Sequence, residues 1–276
     1  MVSITATPFT NASPVPRVQI VISDLPTGSV TLLRTAEGRT MAVRGGVRVP
    51  TTGGVVAVMD FECPFRTDTV YKGEMFSPLG VSLGFTPTVT TMLRVYDYWI
   101  QQPLDPSLSV RLDLDISTAD KLSRKARGEV VYAQNAMLGR YIGGTNRGLQ
   151  GVSIATATQN ATDTAMMRSI FGTYDRPQLP VVLVRSPPGI LNIPRVLFLA
   201  VPDPLEIDFT VRLGGEVTDW LLEGDEVIPP APGLIVPVLT WDDLAAAYPE
   251  GWSSLPAVYA DWIEASTDYT IAGAAG

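Results

Sequence analysis

The feature that most restricts this chain is a period-two alternation of apolar residues, cut into short runs by glycine and proline. From Arg17 onward, Val18, Ile20 and Ile22 alternate with Gln19, Val21 and Ser23, which puts the first set on one face of a strand. Residues 30–33 and 41–43 flank the turn Ala36-Glu37-Gly38-Arg39 and read as a hairpin. Residues 55–63, 67–75 and 89–96 continue the series, punctuated by Gly45-Gly46, Gly53-Gly54, Pro64 and Pro78-Leu79-Gly80. About seven short strands with regular turn signals predict a β-sandwich of fibronectin type III or immunoglobulin kind over residues 17–102. Ahead of it, residues 1–16 hold Pro8, Pro14 and Pro16 among Thr, Ser and Asn. That composition predicts an extended arm, of a kind that drapes over a neighbour.

With 276 residues the chain exceeds the usual domain size of about 100–150 residues, so two domains are expected. Pro103 and Pro106 lack backbone donors and push the residues before them toward extended backbone. Residues 103–108 therefore read as a hinge. Beyond it, residues 109–232 form a second β-rich, sandwich-like domain. Its clearest strand is residues 205–213, in which Leu205, Ile207, Phe209, Val211 and Leu213 share one face. Residues 162–171 predict one packed helix, with Thr162 or Asp163 as cap, Met166, Met167, Ile170 and Phe171 on one side and Gly172 as stop. The basic run Lys121-Leu-Ser-Arg-Lys-Ala-Arg127 reads as a solvated face or loop, and residues 139–148 as a mobile glycine-rich loop.

Residues 233–276 form a tail that repeats. Trp241-x-x-Leu244-x-x-x-Tyr248 returns as Trp252-x-x-Leu255-x-x-x-Tyr259 and, degenerately, as Trp262-x-x-Ala265-x-x-x-Tyr269. Positions i, i+3 and i+7 share one helical face, so each unit predicts a short helix with one aromatic stripe. Thr240 and Asp243 resemble a capping box, Pro249 stops the first unit, and Pro256 fits the first turn of a helix running to Ala265. Trp241, Leu244, Tyr248, Trp252, Leu255, Tyr259 and Trp262 are the candidate interface residues. Packing against protein is the expected use of the stripe, and a platform for sugar rings is the other.

Chemistry is constrained by what the sequence lacks. It contains no histidine and one cysteine, Cys63, which removes the usual general base, the Ser-His and Cys-His nucleophile designs and the ordinary zinc sites. Asp113-Leu114-Asp115 opens like a calcium loop, but Thr118 stands where glycine is needed and Arg124 where a glutamate is needed. Asp60 and Glu62 share a strand face by period two and read as polar surface rather than a hydrolytic pair. No catalytic, cofactor-binding or metal residue is assigned, and the expectation is a protein that is not an enzyme and uses no cofactor. A formal charge of −8 argues against nucleic acid as partner. The most apolar stretch, residues 190–201, is broken by Asn192, Pro194 and Arg195 and is shorter than a membrane span. The first residues show no secretory signal, so synthesis in a cytoplasm is expected.

The segment Thr240-Trp-Asp-Asp-Leu-Ala-Ala-Ala-Tyr-Pro249, with Trp252, Leu255, Tyr259 and Trp262 after it, resembles the Trp-x-x-Leu-x-x-x-Tyr repeats that end minor tail proteins of long-tailed phages of actinobacteria. Asp60-Phe-Glu-Cys-Pro-Phe65 with Tyr71, and Pro103-Leu-Asp-Pro-Ser-Leu108, are similar to stretches of the same family. The resemblance touches both domains and the tail by short motifs. It implies a structural virion protein of the tail tip or baseplate, made in the host cytoplasm and acting by assembly with other tail proteins as a symmetric homo-oligomer. A host-adhesion module that binds a cell-surface glycan is the alternative.

Overall fold

The computed structural model describes residues 1–11, 14–115, 117–124, 126–134, 136–146, 148–174, 176–189, 191–208, 217–233, 239–259, 262, 265, 268 and 271. It is mainly β, with 44% strand against 11% helix. Among the described residues no helix is long and apolar enough to cross a membrane.

The first unit contains β1 (Ser3–Phe9), β2 (Arg17–Ser23), β3 (Ser29–Ala36), β4 (Arg39–Ala42), β5 (Val49–Pro50), β6 (Val56–Asp60), β7 (Thr69–Phe76), β8 (Ser82–Phe85) and β9 (Val89–Thr91). One sheet has the order β1-β2-β6; the other runs β4-β3-β7-β8, with β5 on β3 and β9 on β7. Both contribute to one core, in which Val18, Ile20, Ile22 and Val56 from the first sheet meet Val30, Leu32 and Tyr71 from the second. The expected arm is corrected here. Residues 3–9 pair antiparallel with β2 from Ser3↔Ser23 to Phe9↔Arg17, and Ile4, Ala6 and Phe9 pack against the core. Pro8 is tolerated because β1 is an edge strand, where a missing donor costs no ladder bond.

The second unit contains β10 (Tyr98–Gln101), β11 (Ser109–Leu114), β12 (Ala126–Val131), β13 (Arg140–Asn146), β14 (Val152–Thr158), α1 (Ala161–Phe171), β15 (Val181–Arg185), β16 (Val196–Ala200), β17 (Leu205–Asp208) and β18 (Thr218–Glu226). The sheet runs β14-β11-β10-β15-β16-β18, and β14 also pairs with β18 along Val152↔Gly224 to Thr158↔Thr218. That last pairing closes a six-stranded barrel, where two open sheets were expected. Alternation specifies which residues turn inward, and pairing between distant segments decides closure. Val110 and Leu112, Val152 and Ile154, and Val182 and Val184 fill the interior. Leu197 and Leu199 join them, as do Trp220 and Leu222. The part of the expected strand beyond Asp208, Phe209 to Leu213, lies outside the described residues.

Pro103–Leu108 also needs correcting. It links β10 to β11, which pair with each other from Tyr98↔Leu112 to Gln101↔Ser109. The segment is a hairpin loop of the barrel rather than a hinge, tied by Gln102 N to Leu108 O at 2.9 Å. Helix α1 starts one residue earlier than expected because Asn160 caps it, its side chain accepting from Asp163 N at 2.8 Å. Thr164, Met167 and Ile170 are its buried residues; Met167 and Ile170 enter the barrel core. The predicted glycine-rich loop is corrected as well, since residues 140–146 are strand β13, paired with β12.

The units meet through the outer face of β10 and β15. Ile100 and Val184 point into the barrel, while Trp99 belongs to the first unit's core. Arg185, paired with Trp99 in register, donates from Nη1 to Cys63 O at 3.2 Å. Both faces of these strands are thus buried.

Met167→Ala should lower unfolding free energy by about 2–5 kcal/mol, and Asn160→Ala by about 1 kcal/mol. Urea denaturation of the full chain measures both, and equal losses would contradict this division between core and cap.

Candidate interaction sites

Strand β3 alternates Val30, Leu32 and Arg34 into the core, and this phase places a guanidinium where an apolar residue is usual. Asp60, at the end of β6, receives Arg34 Nη1 at 2.6 Å and the Tyr71 hydroxyl at 2.7 Å. Asp60 Oδ1 also accepts from Glu62 N at 2.9 Å. Glu62 takes Arg44 Nε at 2.7 Å, with Arg34 Nη2 3.7 Å away. Asp60 and Glu62 are 1% and 2% exposed, so the expected polar strand face is an internal ion cluster. Buried carboxylates persist only when paired and hydrogen-bonded.

The cluster sits at the seam between the units. Arg44 donates onward to Ala231 O at 2.8 Å and Pro230 O at 3.0 Å, and Gly45 N to Pro232 O at 2.8 Å. Arg185 lies 4.5 Å over the Phe65 ring, and its Nε and Nη2 have no partner among the described residues. Burial pulls the Arg185 guanidinium down to about 10, whereas the carboxylates outweigh burial at Arg34 and hold its proton more tightly than usual. Burial also pushes Tyr71 well up and, with Asp60 adding to it, moves the Cys63 thiol from 9.0 to about 11. Beside this seam is a cleft of about 590 Å³, lined by Arg34, Glu37 and Met41 from the first unit and Val196, Phe198 and Ile228 from the second.

The tail brings its repeat positions together. Helix α2 (Trp241–Ala247) has the expected capping box, Asp243 N bonding Thr240 Oγ1 at 3.2 Å and Thr240 N bonding Asp243 Oδ2 at 2.9 Å. Residues Trp252–Ala257 form a 3-10 helix with Pro256 inside it, so Pro256 does not open the longer helix expected. The fourth positions, Leu244, Leu255 and Ala265, share one small core with Tyr259. The eighth positions meet through Tyr248 and Tyr259, whose hydroxyls are 2.8 Å apart, and Tyr259 donates to Asp268 Oδ2 at 2.7 Å. Burial, then these two hydrogen bonds, raises the Tyr259 phenol well above its usual range. Tyr269 lies outside the described residues.

The first positions also meet, at the surface. Trp241 stacks on Trp262 with centroids 4.9 Å apart and meets Trp252 edge to face at 5.2 Å. These rings are 62%, 48% and 53% exposed in the order Trp241, Trp262, Trp252. The candidate stripe therefore divides, with Leu244, Leu255 and Tyr259 enclosed within the tail and the tryptophans displayed. Sequence reasoning missed Arg34, Arg44 and Arg185. The legible signal was an arginine in the inward phase of an apolar strand, at Arg34 after Val30 and Leu32, and an arginine closing the wholly apolar run of residues 181–184 at Arg185. Compared with known proteins, the chain matches no family model, no curated protein and no solved structure.

Asp60→Ala should cost about 3–5 kcal/mol by leaving Arg34 buried without its partner, and Tyr71→Phe about 1 kcal/mol, both read from urea midpoints. The Cys63 shift has a testable sign. Below pH 9 both states hold the thiol proton; between 9 and about 11 only the folded chain does, so stability falls as pH rises through that window. Cys63→Ala should make the alkaline loss shallower by about 2–3 kcal/mol, and an unchanged slope would remove the thiol as its source.

Proposed function

We propose that this chain is a structural component of a phage virion, a minor tail protein of the tail tip or baseplate that works by assembling with neighbouring tail proteins. The observation that carries the reading is the tail repeat. Its equivalent positions meet as three tryptophans outside and Leu244, Leu255 and Ala265 inside, so the repeat builds one small unit that presents an aromatic surface. Aromatic clusters of this kind are favoured at the centres of protein interfaces. The strand order of the first unit, three strands β1-β2-β6 and four strands β4-β3-β7-β8 around one core, supports its reading as a fibronectin type III-like sandwich. A fold of that kind serves many roles, so the function rests on the surfaces. The copies form a symmetric homo-oligomer in the particle, built from chains made in the host cytoplasm.

The half-exposed tryptophans favour one second reading, a tail-tip module that stacks its rings on a host cell-surface glycan. Binding of the isolated chain to cell-wall polysaccharide, lost in Trp241→Ala, would support it.

Mass spectrometry of purified particles should detect this chain, and its absence from particles while abundant in lysate would overturn the structural reading. Deleting residues 238–276 should leave the unfolding transition of the two β units in place and sharply reduce incorporation into particles. Normal incorporation of the truncated chain would exclude the tail from assembly.

A further inference from the structure

Strands β12 and β13 form a two-stranded ribbon inserted between β11 and β14, and its described residues from Gly128 to Thr145 are exposed. Val130, Tyr132, Met137, Leu138, Tyr141 and Ile142 are all exposed, Met137 at 97% and Leu138 at 86%. Glycines let these side chains lie against the ribbon. A Cβ at Gly128 would stand 2.4 Å from the Tyr141 hydroxyl oxygen, and one at Gly139 2.2 Å from Val130 Cγ1. An isolated two-stranded ribbon is marginal in water, and exposed apolar surface of this extent marks a contact surface.

Its charge indicates the occupant. Residues 121–147 carry six Lys or Arg and one acidic residue, in a chain with 20 basic against 28 acidic residues. Lys121, Arg124 and Arg140 are exposed, and the ion pairs among the described residues do not include them. The barrel offers the complementary surface, a groove of about 1120 Å³ lined by Asp97, Asp113, Asp115, Asp120 and Asp219, with no Lys or Arg among the described residues of its lining. Leu114, Leu191 and Ile207 supply apolar contact in the same groove. The described residues of the ribbon of the same chain stay exposed from Gly128 to Thr145 and do not line it.

We propose that the β12–β13 ribbon of one copy docks in the acidic groove of a second copy of this chain. Basic side chains meet aspartates, and apolar ribbon residues meet the groove floor. Chains with a net charge of −8 repel one another at long range, and this contact supplies a local attraction that fixes orientation. Ribbon and groove are different patches, so the contact is heterologous and propagates into a ring or a filament. This deepens the assembly reading by naming the surface through which copies join.

Sedimentation velocity of the full chain over a concentration series tests it. Self-association at about 50 mM salt should weaken about tenfold or more at about 500 mM. Arg124→Glu with Arg140→Glu, and separately Asp113→Lys with Asp120→Lys, should each weaken association by at least about tenfold. All four positions are exposed, and circular dichroism melting should match the parent chain. Mixing the two reversed chains should restore association. A chain that stays monomeric at both salt levels, or reversed chains that associate as the parent does, would overturn the contact, as would a monomer that instead sediments with anionic vesicles. Detection in virions alongside such a monomer would leave the tail-protein reading standing. Charge-swappable assembly of a chain absent from virions would sink that reading and keep this one.

Discussion

Two carboxylates inside the first unit set the terms for the rest of the molecule. Asp60 ends β6 and Glu62 follows it in the turn beyond, both buried, and a charge there is tolerated only if it is paired and hydrogen-bonded. Arg34 comes from β3, Tyr71 from β7 and Arg44 from the chain after β4. The cluster thus binds the two sheets to each other at a fixed register. A third guanidinium, Arg185, arrives from the barrel within the field of the same carboxylates. Apolar contact between the units tolerates sliding, whereas the directed bonds from Arg44 to Ala231 O and from Arg185 to Cys63 O do not.

Much of the first unit was legible because period-two alternation reports strand and face together. Val18, Ile20 and Ile22 on β2 and Val30 and Leu32 on β3 turned inward as their spacing required. The edge strand β1 was hidden because Ile4 and Ala6 alternate only weakly among threonines and Pro8 suggests irregular backbone. Barrel closure was illegible for another reason. Strands β14 and β18 are far apart in sequence, and nothing local to Val152 or Leu222 states that they will pair. The two prolines at 103 and 106 read as a hinge, and the segment is a loop between paired strands, because a turn between partners and a hinge between domains have the same local chemistry.

The tail repeat was visible at once, and its geometry was not. Helical spacing predicts a stripe whose members all face one way, which holds within a single helix. The repeat is spread over separate short segments instead, α2 and the 3-10 helix Trp252–Ala257 among them, and its fourth positions converge inward while the first converge outward. The degenerate third unit keeps this pattern, since Ala265 occupies the core position of Leu244 and Leu255 at 2% exposed. A smaller residue suffices where two leucines already fill most of the space. Within the single chain the candidate residues thus divide between a small core, Leu244, Leu255 and Tyr259, and a displayed surface, Trp241, Trp252 and Trp262.

The path of the chain after the barrel has a mechanical consequence. On leaving β18 it returns to the first unit, where Arg44 and the Gly45 amide hold the carbonyls of Pro230, Ala231 and Pro232. A pull on the tail meets these bonds before it reaches the barrel strands. Arg44 hands the load to Glu62, so tension enters the molecule at its most tightly paired point, and the barrel is shielded from a force applied only a few residues beyond its last strand.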